Sequence, residues 1–425
     1  MDGTLSIPRP FYDSIENCGY AVVIRIAVPR QLSPSVWLLV IAYALMNSGG
    51  SLVVFISSLI ASRIAPSADL ATLPIALMIV GVACSTLPLG YLQSHYGRKK
   101  VFLGFAALAC GSALLSSLSL LLQHFWLFCL ATFAMGFAMA SAHQYRFAVI
   151  EHAGAAYAAT VTSILLFGGL LSAFIGPEIA LWGQALLSGQ FMGSYLLLAC
   201  VFALSFILLC FTNPNPLNLH TEQTIPSQQS GWGLIISSPV LSLSLLSAVV
   251  AYAVMSFIMT ATPLTMHEHI GHSLVDTKLV IQSHIAAMYL PSLVSGLLID
   301  RLGYRWVLGL GLSVFLLCIA VALFNTAFIH FWLALVLLGV AWNFLFIAAT
   351  TMLALGHNHQ DRFKVQATND FVLFSCQAVA ALSSGWFLYH YQWRGVLLMT
   401  LPLLLFYGVF LWRSTGFKLI KPARH

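Results

Sequence analysis

The amino-acid sequence predicts an all-α integral membrane protein with twelve transmembrane helices, arranged as two pseudo-symmetric bundles of six. Three observations lead to this prediction: an apolar composition, a series of apolar segments of membrane-spanning length, and an internal repeat. Hydrophobic residues make up 60% of the 425 residues and charged residues only 7%, with a mean hydropathy of +0.92. Because soluble domains carry about 25% charged residues, this composition excludes an ordinary soluble fold.

Twelve apolar segments follow one another along the chain, separated by short polar breaks. A helix that crosses the hydrocarbon core of a bilayer needs about 20 mostly apolar residues, and each segment comes close to that length. The predicted spans are 34–61, 68–92, 101–122, 124–145, 153–181, 190–212, 236–264, 278–299, 305–326, 328–354, 364–390 and 394–413.

A polar segment divides these spans into two sets of six. It begins at Asn213 and is rich in Pro, Asn, Ser and Gln, which are typical of loops and linkers. Near the N-terminus, the one apolar patch is interrupted by Arg25 and is too short for a signal peptide. The predicted organisation is a cytoplasmic tail at 1–33, a first bundle at 34–212, a cytoplasmic linker at 213–235, a second bundle at 236–413 and a cytoplasmic tail at 414–425.

The positions of the basic residues predict the orientation in the membrane, since Lys and Arg accumulate in cytoplasmic loops. If both termini are cytoplasmic, only Arg63, Lys278 and Arg394 of the 18 basic residues lie outside, which leaves 15 inside. The net charge of +6 therefore reports topology, and we expect no nucleic-acid partner. Short loops and the absence of an Asn-x-Ser/Thr acceptor indicate a bacterial inner membrane.

Two segments repeat between the halves of the chain. Residues 90–99 and 296–305 both read G-x-L-x-[S/D]-x-x-G-x-[K/R], at an offset of 206. The opening helices repeat as well, because Ala-Tyr-Ala-Leu-Met at 42–46 matches Ala-Tyr-Ala-Val-Met at 251–255. Two matches at nearly one offset predict duplicated halves, an arrangement that recurs in transporters with a solute path between the repeats.

The repeated loop resembles the signature G-x-L-x-D-R-x-G-x-[R/K] that the major facilitator superfamily carries between its second and third helices. The second copy matches it nearly completely, whereas the first copy has Ser94 at the acidic position. The resemblance implies the major facilitator fold and alternating access, with the two loops closing the cytoplasmic side when the outside is open. The residues placed in these gate loops are Gly90, Ser94, Gly97, Arg98, Gly296, Asp300, Arg301, Gly303 and Arg305.

The fifth span carries a second motif, composed of Gly168, Ser172, Gly176 and Pro177. It is similar to the Gly-rich helix-five motif of the antiporter branches of the superfamily, which slightly favours efflux. The alternative is plain helix packing, because small residues four apart allow two helix backbones to approach closely.

Uncharged polar and aromatic side chains in the spans are candidates for the solute path. Helices one, four, seven and ten line the cavity in this superfamily, so the resemblance places five of these residues near the path. Trp342 next to Asn343 would offer a flat apolar face and a hydrogen-bonding group to an aromatic solute; ordinary packing is the alternative. The cavity candidates are Tyr43, Asn47, Tyr252, Trp342, Asn343, Asn369 and Gln377.

Ionisable groups inside a bilayer cost about 2.5 to 3.5 kcal/mol on insertion scales, so each one in a helix interior is a candidate for ion coupling. The sequence offers Asp370, His284, Glu178 and His143. Each has a simpler alternative: pairing of Asp370 with Arg362 or Lys364, a hydrogen-bonded core position for His284, and snorkelling of Glu178 to the interface. His143 and Arg146 close the inner end of the fourth span, and the alternative there is anchoring and positive-inside placement of Arg146.

These features predict a secondary active transporter of a small organic solute, coupled to protons, with efflux slightly favoured over uptake of a nutrient, vitamin or iron chelate. We expect a monomer in the lipid bilayer, without a cofactor and without a metal, because the outer-loop histidines His267, His269 and His272 match no zinc spacing. An intramembrane enzyme is a remote alternative, since no phosphate loop, Gly-x-Ser-x-Gly or His-Glu-x-x-His motif occurs. A receptor is a third alternative.

Overall fold

The computed structural model describes residues 32–153, 158–187, 191–213, 231–356 and 361–414, and these residues form helices without any strand. Most of the two predicted tails and of the central linker lie outside the described residues, as do the side chains of Ser94 and Asp300. The predicted domain boundaries therefore stay a prediction.

The first half contains seven described helices. Their bounds are α1 Pro34–Ile64, α2 Leu73–Tyr96, α3 Arg98–Leu121, α4 Phe125–Met139, α5 Tyr145–Ala153, α6 Ala158–Leu186 and α7 Met192–Cys210. A 3₁₀ turn at Ala140–Gln144 joins α4 to α5, so that the two helices form one crossing that is longer than the predicted span 124–145. Hydropathy missed this extension because α5 contains Arg146 and Glu151.

The second half also contains seven described helices. Their bounds are α8 Gly231–Ser237, α9 Pro239–Leu264, α10 Leu274–Tyr289, α11 Ser292–Leu302, α12 Tyr304–Phe324, α13 Phe328–Leu355 and α14 Arg362–Arg413. The short helix α8 lies at the end of the predicted linker. A turn of π-helix, Thr265–Ile270, continues α9.

Ten segments of the described chain are long and apolar enough to cross a membrane. Two further crossings involve broken helices. Gln392, with φ 57° and ψ −176°, divides α14 into two crossings, and α10 and α11, which are separated at Pro291, together form one. Counted in this way, the helices are consistent with twelve crossings in two sets of six. The predicted all-α membrane fold is confirmed.

The repeated loops have the same backbone conformation in both halves. Gly97 has φ 78° and ψ 154°, and Gly303 has φ 84° and ψ 160°, a region that side chains essentially exclude. The Gly97 N–H donates to the Gln93 carbonyl at 3.0 Å, and the Gly303 N–H donates to the Ile299 carbonyl at 2.8 Å. The sequence repeat is therefore also a structural repeat.

A basic residue two positions after each glycine caps the last helix of its own half. Lys99 Nζ donates to the carbonyls of Cys210 and Thr212 at 2.7 and 2.8 Å, and Arg305 Nη2 donates to the Trp412 carbonyl at 3.3 Å. Such caps satisfy carbonyls that a helix leaves free at its C-terminus. We call the end of the bundle with Gly97 and Gly303 the glycine end, and the other end, with the break at Gln392, the opposite end.

Candidate functional site

A cavity of about 310 Å³ lies between the two halves. Such a volume is at the lower limit of small-molecule sites. The lining includes Thr350, Leu353 and Ala354 from the last turns of α13 and Gln366 from the start of α14, so the cavity belongs to the glycine-end half of the bundle. The lining residues are Val82, Thr86, Leu89, Ala140, His143, Gln144, Arg146, Phe147, Tyr252, Phe346, Thr350, Leu353, Ala354, Gln366, Asn369, Asp370, Leu373 and Phe374.

Aromatic rings of the second half form one side of this cavity. Trp342 stacks on Phe346 with ring centroids 4.6 Å apart and an interplanar angle of 17°. Tyr252 contacts both rings edge-on, at 5.2 and 5.6 Å, and contacts Phe374 at 6.0 Å. Of these four rings, those of Tyr252, Phe346 and Phe374 line the cavity. We call the four residues the aromatic wall.

Polar groups from both halves face the same cavity. Asp370 and Asn369 of α14 lie across from His143 and Arg146 of the first half, and Asn369 Nδ2 donates to Asp370 Oδ1 at 3.2 Å. Asn369 Oδ1 is buried without a hydrogen-bond partner; Trp342 Nε1 is too, but Trp342 is not a lining residue. A site with an apolar wall and a free acceptor is suited to a planar ligand with a polar edge.

Five predicted candidates therefore meet at one site: Tyr252, Trp342, Asn369, Asp370 and His143. The alternative proposed for Asp370, pairing with Arg362 or Lys364, falls on side chains outside the described ones.

Asn343 lies next to the aromatic wall but faces away from the cavity. Its side chain is fully buried, and Nδ2 donates to the Met288 carbonyl at 2.8 Å and to Ser292 Oγ at 2.6 Å. Its Oδ1 accepts from Ser295 Oγ at 2.5 Å. These bonds cross the break between α10 and α11, so in this structure Asn343 holds the broken helix together and has no free polar atom for a solute.

The other uncharged candidates lie away from the cavity. Gln377 Nε2 donates to Ser256 Oγ at 2.8 Å and thereby links α14 to α9. Asn47 Nδ2 donates to the Tyr43 carbonyl of its own helix at 2.9 Å. Tyr43 itself is buried, and none of these three side chains lines the described cavity.

His284 lies in the core between α10 and α13. It is fully buried, and its Nδ1 contacts the Leu335 carbonyl at 2.8 Å. This geometry agrees with the alternative of a hydrogen-bonded core histidine, and the ring does not line the cavity.

Charged residues join the two halves at the opposite end. Lys278 Nζ of α10 donates to Glu178 Oε1 of α6 at 2.7 Å, and Gln282 Nε2 approaches the same oxygen at 3.4 Å. A weaker pair connects Arg63 Nη2 to Glu268 Oε1 at 4.0 Å. Glu178 thus forms an ion pair with a residue of the other half, which differs from the alternative of an unpaired carboxylate that snorkels to the membrane interface. The halves are in contact at the opposite end, while the cavity lies towards the glycine end.

Within the described residues, the ion pair at the glycine end stays inside one half. Arg98 Nη2 lies 2.6 Å from Glu151 Oε1, and both residues belong to the first half. Gly90 and Gly296 have open space around them, and Arg301 is exposed. Among the side chains that the structure describes, no ion pair joins the two gate loops.

The helix-five motif packs α6 against α1. The backbone of α1 at Ser48 and Leu52 contacts the place where a side chain at Gly176 would stand. Ser51 Oγ of α1 donates to the Ser172 carbonyl at 2.7 Å. Gly168 likewise lies close to the Val40 carbonyl. These contacts agree with the helix-packing interpretation of the motif, in which small residues allow close approach.

Sequence reasoning missed several residues of the cavity. Anchoring and positive-inside placement were the favoured explanation of Arg146, whereas the 3₁₀ turn before it places its side chain in the cavity lining. Its guanidinium lies over the Phe147 ring, 4.7 Å from the centroid. The position of Arg146, directly after the predicted end of a span, was the one feature of the sequence that could have indicated a place in the cavity. The missed polar residues are Thr86, Gln144, Arg146, Thr350 and Gln366.

The outer-loop histidines contact backbone oxygens. His267 Nδ1 lies 2.9 Å from the His272 carbonyl, and His272 Nε2 lies 2.9 Å from the Thr326 carbonyl. Over the described part of the chain, no three His, Cys, Asp or Glu side chains are grouped as metal ligands would be.

Comparison with known proteins identifies relatives over most of the chain. A riboflavin transporter of Brucella anthropi, RfnT, is 32% identical over 367 residues, which cover 86% of this chain and 92% of that protein. An uncharacterised MFS-type transporter of Bacillus subtilis, YddS, is 30% identical over 352 residues, covering 79% of this chain and 80% of that protein.

The fold agrees with a solved transporter structure. The crystal structure of the nucleoside transporter NupG superposes with a TM-score of 0.73 over 91% of this chain and 100% of that chain, at 11% sequence identity. The sequence profile of the Major Facilitator Superfamily matches residues 36–281 and 244–423. These matches exclude the enzyme alternative, and the chain is a membrane transporter that belongs to the Major Facilitator Superfamily.

Proposed function

We propose that this protein imports riboflavin or a closely related flavin across the bacterial inner membrane. The observation that carries the proposal is the similarity to a riboflavin transporter over 86% of this chain. The aromatic wall supports it, because riboflavin combines a planar fused-ring system with a polar imide edge and a polyhydroxylated chain.

The cavity supplies contacts of the kind that this ligand needs. Stacking of a ring on an aromatic side chain contributes about 0.5 to 1.5 kcal/mol beyond the buried area. The unpartnered Asn369 Oδ1 can accept a hydrogen bond, and an imide edge presents an N–H group that would donate it. Thr86, Gln144 and Thr350 offer further polar contacts for hydroxyl groups.

In this proposal the glycine end is cytoplasmic, as the distribution of basic residues predicts, and the described state is open to the cytoplasm. Solute would enter after the halves separate at the opposite end and would leave through the glycine end. Cysteines placed at the exposed positions Lys100 and Leu302 should react with an impermeant reagent from the same side of the membrane. Labelling from opposite sides would refute this topology.

We favour uptake over efflux for two reasons. The riboflavin transporter to which this chain is similar is named for a vitamin, and the contacts between α1 and α6 explain the helix-five motif as a packing motif, without an antiport function. The test is accumulation of radiolabelled riboflavin by cells that express the protein. We expect Trp342→Ala to raise the KM about tenfold, since it removes a ring of the aromatic wall. Trp386→Ala is the matched control, because Trp386 is exposed and lies outside the lining.

Equal uptake in cells with and without the protein would refute the choice of substrate. An untargeted comparison of solutes inside and outside such cells would then identify the cargo, and the same comparison would reveal efflux.

Proton coupling belongs to the same proposal, with Asp370 as the coupling group and one chain as the working unit. Asp370 faces the cavity from the second half and Arg146 from the first, so a protonation change there would alter the attraction between the halves. In proteoliposomes with an imposed pH gradient, Asp370→Asn should abolish gradient-driven uptake and retain riboflavin exchange. Asp276→Asn, in the first turn of α10 at the opposite end, should retain both. Gradient-driven uptake by Asp370→Asn would show the assignment to be wrong.

A further inference from the structure

A second cavity lies at the glycine end of the first half, away from the central one. It has a volume of about 300 Å³ and lies between the ends of α1, α2, α3, α5 and α7. Unlike the central cavity, it is surrounded by one half alone. Its polar lining consists of Gln93, Arg98, Lys99, Glu151, His152, Thr212 and Asn213.

Two nitrogen atoms in this lining are buried without a hydrogen-bond partner, Arg98 Nη1 and Gln93 Nε2. Each leaves N–H groups unsatisfied, which costs about 1 to 3 kcal/mol and more for a charged group. The other terminal nitrogen of Arg98 is paired with Glu151 at 2.6 Å. Lys99 donates to neutral carbonyls, so the one carboxylate faces two cationic side chains. The cavity therefore has an excess of one positive charge and two free donors.

The second half shows that the fold does not require these polar groups. At the offset of 206, Gln93 corresponds to Ile299 and Arg98 corresponds to Tyr304. Ile299 and Tyr304 are only 3% and 4% exposed, so they fill their site with packed side chains. The glycine conformation and the helix cap are nevertheless the same in both halves.

The first half also lacks an acidic residue that the second half carries. At the offset of 206, Ser94 corresponds to Asp300. Each copy carries two basic residues, Arg98 and Lys99 in the first and Arg301 and Arg305 in the second, so the first copy has one carboxylate fewer at equal basic charge. A bound anion would restore the charge balance that the second copy obtains from its own residues.

We propose that this cavity binds an anionic group of phosphate chemistry. Its oxygens accept hydrogen bonds from Arg98 Nη1 and Gln93 Nε2, and Lys99 supplies a further positive charge. The source is a soluble phosphate or the phosphodiester of a lipid headgroup, which share these acceptor oxygens. This site is separate from the solute path, and the proposal does not depend on which solute is transported.

The test measures thermal stabilisation of the full chain in a maltoside detergent, which carries no phosphate. Inorganic phosphate and glycerol 3-phosphate are titrated in one arm, and phosphatidylglycerol is added to the micelles in the other. Hydrogen bonds to charged groups contribute about 1.5 to 3 kcal/mol, so loss of one should weaken binding about tenfold or more. Gln93→Ile removes the free donor without changing charge, and it introduces the residue that the second half carries at this place.

A pair of charge variants separates the cavity from general surface charge. Lys99→Gln removes a charge inside the cavity, and Lys100→Gln removes the same charge at an exposed neighbouring position. We expect saturable stabilisation of the wild type, about tenfold weaker binding in Gln93→Ile and Lys99→Gln, and little change in Lys100→Gln. If Lys99→Gln fails to fold, Gln93→Ile decides the test.

Stabilisation by soluble phosphate would identify a free anion, and stabilisation by phosphatidylglycerol alone would identify a lipid headgroup. The proposal is overturned if neither probe stabilises the wild type or if Gln93→Ile binds as the wild type does. It is also overturned if Lys100→Gln weakens binding as much as Lys99→Gln.

Discussion

The ion pair between Glu178 and Lys278 should bias the protein towards the state in which the opposite end is closed. Its two partners belong to different halves, and Nζ and Oε1 are 2.7 Å apart. When the halves separate at this end, the pair must break. Glu178→Gln should therefore favour opening of the opposite end, because the neutral amide no longer attracts the ammonium group.

The size of the effect follows from the geometry and the exposure of the pair. The side chain of Lys278 is 13% exposed and that of Glu178 is 35% exposed. A buried hydrogen bond between charged groups contributes about 1.5 to 3 kcal/mol, whereas exposed ion pairs contribute at most about 1 kcal/mol. For this half-buried pair we expect about 1 to 2 kcal/mol, which changes the ratio of the two states by a factor of about 5 to 30.

The assay is a double electron–electron resonance (DEER) measurement of the distance between spin labels at Ser67 of the first half and Val275 of the second. Both positions are exposed near the opposite end. Glu178→Gln should increase the population with the longer distance. The exchanged pair, Glu178→Lys with Lys278→Glu, should restore the distribution of the wild type.

A matched control comes from the second ion pair at the same end. Arg63 and Glu268 lie 4.0 Å apart with side chains 43% and 32% exposed, so Glu268→Gln should have little effect on the distance distribution. An unchanged distribution in Glu178→Gln, or a change of the same size in Glu268→Gln, would refute the reasoning.

Three further outcomes concern the fold. Asn343→Leu should lower the free energy of unfolding by about 2 to 4 kcal/mol, because it leaves buried partners unsatisfied; Asn47→Leu, which loses one bond within its own helix, should cost less in the same thermal unfolding series. Gly303→Ala should lower the free energy of unfolding by about 1 to 3 kcal/mol because Gly303 has a positive φ. Gly309→Ala, at an open helical position, is the control, and an equal loss of stability in the two variants would contradict this expectation. Gly176→Leu should abolish monodisperse elution from a size-exclusion column, since α1 leaves no space for a side chain there.

The sequence predicted the helices well because a membrane span has a one-dimensional signature. Each crossing needs a certain length of apolar chain, and charges interrupt it at the ends. The break at Gln392 lies between two predicted spans, whereas the break at Pro291 lies inside the predicted span 278–299 and was not predicted. The repeat of residues 90–99 at 296–305 predicted the equivalence of the halves, and its glycines adopt one conformation because other residues are disfavoured there.

The cavity was predicted only in part. Tyr252, Asn369 and Asp370 line it, whereas Asn343 faces the break between α10 and α11 and His284 lies in the core. All of these are polar or aromatic residues in apolar helices, so composition alone did not separate them.

The amino-acid sequence thus predicts the set of helices, the repeat that relates the two halves, and the loop geometry that both halves share. The packed bundle is needed to see which side of each helix faces the cavity, and that Arg146 and Asp370 line it from different halves. The physical reason is that lipid is as apolar as a protein core, so a membrane helix is hydrophobic all round and its sequence has little periodicity to mark the inner face.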